Sequence, residues 1–161
     1  MDLFLDCEWA DVLASELVSI ALVSADGQKV FYAERDPLPA DPTPWVQTVV
    51  YPLLDRGERA MDDTRMTLAI RNFLASINAP RIHYDFGADR SLCQYVVDGF
   101  DMPQPPGSPP FDLEWQRCDD LQKAIEQWWH SHPEARSKRH HALTDAQAFR
   151  AACIDQSSTD A

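Results

Sequence analysis

Several common features are missing from this 161-residue sequence. No apolar run approaches the ~20 residues that a membrane-spanning helix needs. The four cysteines, Cys7, Cys93, Cys118 and Cys153, are far apart and form no CxxC pair. A zinc knuckle or disulfide framework is therefore not expected, and buried reduced thiols are. There is no excess of basic residues: the net charge is −12, which argues against a broad basic face for duplex binding. Met1 to Asp6 contain no basic region and turn acidic, so a signal peptide is not expected and a cytoplasmic address is. There is no internal repeat.

The composition that remains, 45% apolar and 25% charged, is that of an ordinary globular domain, and the length suits one core. An acidic chain can still act on nucleic acid if the positive charge of its site comes from bound cations. Short or single-stranded substrates are then favoured over duplexes.

Leu3-Phe4-Leu5 reads as a short buried strand, and Leu17 to Ser24 as a longer β-branched one. Asp26-Gly27 turns the chain into a third strand at Lys29-Val30-Phe31-Tyr32. Pro37, Pro39, Pro42 and Pro44 mark a loop. Trp45, Val46, Val49, Val50 and Leu53 then recur at helical spacing. Asp62-Asp63-Thr64 offers N-cap chemistry to a helix carrying Met66, Ile70, Phe73, Leu74 and Ile77. Arg81 to Tyr84 reads as a strand, Leu92 to Val97 as a helix ending near Gly99, and Met102 to Pro110 as a loop. Leu113-Glu114-Trp115 suggests the last strand. A helix capped by Asp119 or Asp120 carries Leu121, Ile125, Trp128 and Trp129, the tryptophans serving as core or as a dimer face. The final helix is expected from about Thr144 to Ile154. The order predicts one α/β domain over residues 1–155, with a mixed five-stranded sheet flanked by helices and a disordered tail over 156–161.

Three segments carry chemistry. In an extended chain Asp6 and Glu8 face the same way, so two carboxylates share one spot at a strand end while Cys7 turns to the core. Such a pair repels itself unless a cation lies between. Asp89, at the turn after the Arg81–Tyr84 strand, is suited either to capping the next helix or to placing a third carboxylate beside the first strand. In His140-His141-Ala142-Leu143-Thr144-Asp145, a loop histidine and an acid in the first helical turn converge. Each segment alone is an ordinary solvated feature; their order is more specific.

That order resembles the DEDDh exonucleases of the ribonuclease H-like superfamily, across roughly residues 2–153. Asp6-Cys7-Glu8-Trp9, Glu16 to Val23, and His140 to Ala146 look like the small bacterial and phage 3′→5′ exoribonuclease-like family. The resemblance implies a ribonuclease H-like fold, with Asp6, Glu8, Asp89 and Asp145 as metal-binding acids and His140 as the general base. Asp85 stands where many relatives have Asn and rivals Asp89, as His141 rivals His140. Two Mg²⁺ or Mn²⁺ ions suit hard oxygen ligands and phosphodiester hydrolysis. Trp9 is a candidate for stacking on a terminal base, against a packing role. Arg139, with Arg136 and Lys138, is a candidate for phosphate contact. The implied substrate is single-stranded nucleic acid, RNA favoured over DNA, cleaved from the 3′ end to nucleoside 5′-monophosphates. A homodimer is the expected assembly. The competing expectations are a non-catalytic nucleotide- or partner-binding module and a phosphatase or nucleotidase acting on mononucleotides.

Overall fold

The computed structural model describes residues 1–109 and 113–159, except the side chains of 156–159. Strands β1 (Asp2–Trp9), β2 (Leu17–Ser24) and β3 (Val30–Arg35) form an antiparallel meander. All eight residues of β2 are buried. That is why it reads as a continuous apolar run without alternation: helices cover both of its faces. A two-residue strand β4 (Ala60–Met61) pairs parallel to β3. On the other side β5 (Arg81–Tyr84) runs parallel to β1, and β6 (Glu114–Arg117) parallel to β5. The sheet order is β4-β3-β2-β1-β5-β6. It is mixed, as expected, but has six strands where five were expected. The extra one is too short to show any alternation.

Helices α1 (Asp63–Ala75) and α2 (Gly87–Asp98) cover one face, packing on Leu3, Leu5 and Cys7. Helices α3 (Gln122–Ser131) and α4 (Ala142–Thr159) cover the other, where Phe4 meets Leu121, Phe149 and Ala152. On that second face Ala21 and Val23 of β2 meet Ala142 and Ala146 of α4. These small side chains let α4 approach the sheet closely.

The Asp62 side chain caps α1, accepting from the Arg65 amide at 2.8 Å. Helix α2 stops at Gly99, whose φ of 101° is left-handed; a Cβ there would lie 2.3 Å from the Pro105 side chain. Arg71, buried in α1, donates to the Val97, Pro106 and Gly107 carbonyls and pins the proline-rich loop to the domain.

Four local expectations need correcting. The Trp45–Leu53 stretch is a π-helical segment (Val46–Val50) followed by a 3₁₀ turn (Tyr51–Leu53). Pro52 has no N–H, so a regular α-helix cannot continue through it. Neither Asp119 nor Asp120 caps α3, which opens at Leu121 without a side-chain cap; Asp119 pairs with Arg117 instead. Nor is Asp89 the N-cap of α2: that position is Phe86, without a side-chain cap, and Asp89 sits in the first turn. Finally, α4 starts at Ala142 and its backbone continues through Thr159, so residues 156–159 of the expected tail are helical. Residues 160 and 161 lie outside the described ones. Among the described residues, no helix is long and apolar enough to cross a membrane.

Candidate metal centre

Three elements end at one cleft of about 490 Å³. Asp6 and Glu8 project from β1 toward the α4 side, Asp6 lying opposite Ala21, while Cys7 is buried among the α2-side apolar residues. Asp145 stands in the first turn of α4, and its Oδ2 accepts from the His140 backbone amide at 3.1 Å. The ligating atoms of Glu8, His140 and Asp145 all lie within 4.8 Å of one another. Asp89, 2% exposed, reaches across from α2, and its Oδ1 accepts from the Cys7 amide at 3.1 Å. That bond ties α2 to the acidic strand end. Asp6, Glu8, Asp89, His140 and Asp145 all line the cleft.

His140 adopts a left-handed backbone, φ 73°. For a residue with a Cβ this costs about 1–2 kcal/mol, and such conformations cluster at functional sites. The adjacent His141 is buried on the other side, its ring 4.6 Å from that of Tyr32. The structure therefore brings His140 to the cleft carboxylates, while His141 lies beside Glu34 and Asp55, its Nε2 3.7 Å from Asp55 Oδ2.

The acids lack ion-pair partners, although Arg139 acts on Asp145 from outside the cleft. Among the described residues no Lys or Arg forms an ion pair with Asp6, Glu8, Asp89 or Asp145. Burial, then repulsion from Asp145, Asp89 and Glu8, pushes the Asp6 carboxyl well above the usual carboxylate range. Burial followed by Asp145 and Asp89 raises Glu8 to about 8. Burial and then Asp85 raise Asp89 to about 8, against the Cys7 amide, which favours its charged form. Burial raises Asp145 to about 7 against the His140 amide and Arg139. Asp6 Oδ2 and Asp145 Oδ1 are buried with no hydrogen-bond partner. An unpaired buried carboxylate oxygen is costly, and a divalent cation removes that cost. His140 moves the other way: burial, then Arg139, holds it below the ordinary histidine value, so its imidazole is neutral near pH 7.

The remaining candidates fall in different places. Asp85 lines the cleft and, as a like charge, raises Asp6 and Asp89. Trp9 lines it too, stacked on Phe86 at 5.7 Å. Arg139 does not line it: its guanidinium is held by Glu126 and lies over the Trp129 ring. Arg136 is likewise outside, donating to the Trp129 carbonyl, and Lys138 faces Asp55. Two aromatic side chains of the cleft were not singled out from the sequence. Phe86 is 58% exposed beside Trp9, and Trp45, 48% exposed, sets its ring edge-on to His140 at 4.8 Å. Their only sequence signal is an aromatic next to a turn, which a packing role explains equally well.

No protein-family model matches the chain, and no curated protein matches it. The structure defines an α/β domain with a mixed sheet whose β1, α2 and α4 ends bring four carboxylates and a histidine to one cleft. Such a donor set, mostly hard oxygen with one imidazole, fits Mg²⁺ or Mn²⁺.

Proposed function

We propose that the protein is a metal-dependent 3′→5′ exonuclease of the DEDDh type, with a ribonuclease H-like fold, acting on single-stranded RNA or short oligonucleotides. The observation that carries the reading is the pair of buried oxygens, Asp6 Oδ2 and Asp145 Oδ1, which have no hydrogen-bond partner among the described residues, inside a carboxylate cluster with no ion-paired protein cation among them. The polarity and the preference for RNA rest on the sequence resemblance.

Asp6, Glu8, Asp89 and Asp145 would hold two divalent ions. When bound, such ions stabilise charge on the attacking and leaving oxygens of an in-line displacement. His140, neutral and beside Glu8 and Asp145, accepts the proton of the attacking water on an imidazole nitrogen. The Asp145 carboxylate accepts from the His140 amide and so fixes the loop that presents the ring. Trp9 with Phe86 on one side, and Trp45 at His140, offer apolar faces for the terminal bases; stacking of this kind tolerates any base and suits an exonuclease.

End-labelled single-stranded RNA and DNA, incubated with the protein and Mg²⁺ or Mn²⁺, test the reading. The expected result is a ladder shortening from the 3′ end of RNA with release of 5′-monophosphates. Metal-dependent turnover of mononucleotides alone, or no turnover of either polymer, would overturn it.

A further inference from the structure

A second reactive group lies on the α3/α4 face of the sheet, among residues that do not line the cleft. Cys118, half-buried directly after β6, has its Sγ 3.5 Å from Nδ1 of His83 on β5. Nε2 of the same ring meets Asp2 Oδ1 at 2.8 Å, and the ring is stacked on Phe4. A carboxylate at Nε2 requires the N–H there, which leaves Nδ1 to accept the thiol proton. The thiol of Cys153, buried on α4, is within hydrogen-bonding reach of Cys118.

We propose that Cys118 is a peroxide-reactive thiol and that Cys153 resolves its oxidised form to an intramolecular disulfide. Cys118 gives its proton to His83, and its sulfur attacks one oxygen of a hydroperoxide. The O–O bond breaks, an S–O bond forms, and the departing alkoxide or hydroxide takes the proton from His83. The sulfur is oxidised by two electrons to a sulfenic acid as the peroxide is reduced. Cys153 sulfur then attacks Cys118 sulfur, displacing hydroxide, which leaves as water with the Cys153 proton. The hydrogen bonds to Cys153 and then His83 also pull the Cys118 thiol down to about 5, as expected of a site that favours thiolate.

The test is peptide mapping of the full chain after brief exposure to hydrogen peroxide. The expected product is a linked Cys118–Cys153 peptide, with Cys7 and Cys93 consumed about tenfold more slowly because they are buried. Cys153→Ser should stop at a Cys118 sulfenic acid that dimedone traps, and His83→Gln should slow Cys118 consumption about tenfold. The proposal is overturned if the linked peptide does not form, if Cys7 or Cys93 reacts as fast as Cys118, or if His83→Gln leaves the rate unchanged. None of these outcomes depends on nuclease activity.

Discussion

A lone buried acid on β3 and the carboxylates of the cleft are built oppositely. Glu34 on β3 is fully enclosed, yet its carboxylate is satisfied. Oε1 accepts from the Tyr32 hydroxyl and the Asp55 amide, each at 2.6 Å, and Oε2 from the Arg56 amide at 2.9 Å, with the Arg56 guanidinium 3.6 Å away. In the cleft, Asp6 Oδ2 and Asp145 Oδ1 have no partner among the described residues, and no described Lys or Arg forms an ion pair with any of the four acids. The fold supplies donors to the Glu34 carboxylate itself, while both ring nitrogens of the neighbouring His141 are buried without a hydrogen-bond partner among the described residues. On the proposed reading, bound divalent ions supply the positive charge that the cleft acids lack. Burial of a carboxylate therefore does not mark a site; burial without donors does.

The comparison can be broken in several ways. The largest effect is expected from Asp6→Ala. It should lower 3′-end hydrolysis on the order of 10³-fold, since several kcal/mol of transition-state stabilisation are lost with the ions. Far-UV circular dichroism and thermal melting should show a folded protein that is at least as stable without metal, because a repelling charge has gone. Glu34→Ala should do the reverse. It strands three donors, and should cost about 3 kcal/mol in chemical denaturation, with residual activity following the folded fraction.

Next come the adjacent histidines. On the proposed reading, His140→Ala should reduce kcat on the order of 10²-fold, as expected if a general base is lost, with little change in stability. His141→Ala should lower stability by about 2 kcal/mol through the cavity it leaves beside Tyr32, with the chemical step intact. Steady-state kinetics and denaturation on the same pair of variants separate the two.

A pH trend completes the comparison. Glu8 and Asp89 titrate at about 8 and Asp145 at about 7 in the folded protein, against ordinary values of 4.5 for Glu and 3.8 for Asp. Below the ordinary values both states are protonated and the contribution to stability is complete. As pH rises from about 4 to 8 the unfolded chain loses these protons first, so the metal-free protein loses stability, levelling off above about 8. Melting temperature in a chelator should fall over that window. In Mn²⁺ the trend should flatten or reverse, because the ions bind the deprotonated acids.

Much of this was legible in the sequence because it lies in local patterns. The β1, β2 and β3 strands follow from short apolar runs and an Asp-Gly turn, and the same-face placement of Asp6 and Glu8 follows from the two-residue period of a strand. The spacing of His140 and Asp145 at a helix start placed both at the cleft. Other features depend on contacts between distant segments. The bond from the Cys7 amide to Asp89, 82 residues away, has no local signature. Neither has the capture of Arg139 by Glu126, which takes an expected phosphate contact out of the cleft lining. Cys118, expected to be a buried reduced thiol, is half-buried beside His83 because β5 and β6 pair in parallel. Trp45 was read as one face of a helix, and the π-helical turn before Pro52 leaves it exposed at His140.

Calorimetric titration with Mn²⁺ of the wild-type, Asp6→Asn and Glu34→Gln proteins, at a pH where all are folded, tests the contrast between Glu34 and the cleft acids directly. The account predicts saturable uptake of about two ions per chain by the wild type, retained in Glu34→Gln and abolished in Asp6→Asn. Wild-type protein that takes up no Mn²⁺, or Asp6→Asn protein that binds it as the wild type does, would contradict the assignment of the cleft as a metal centre.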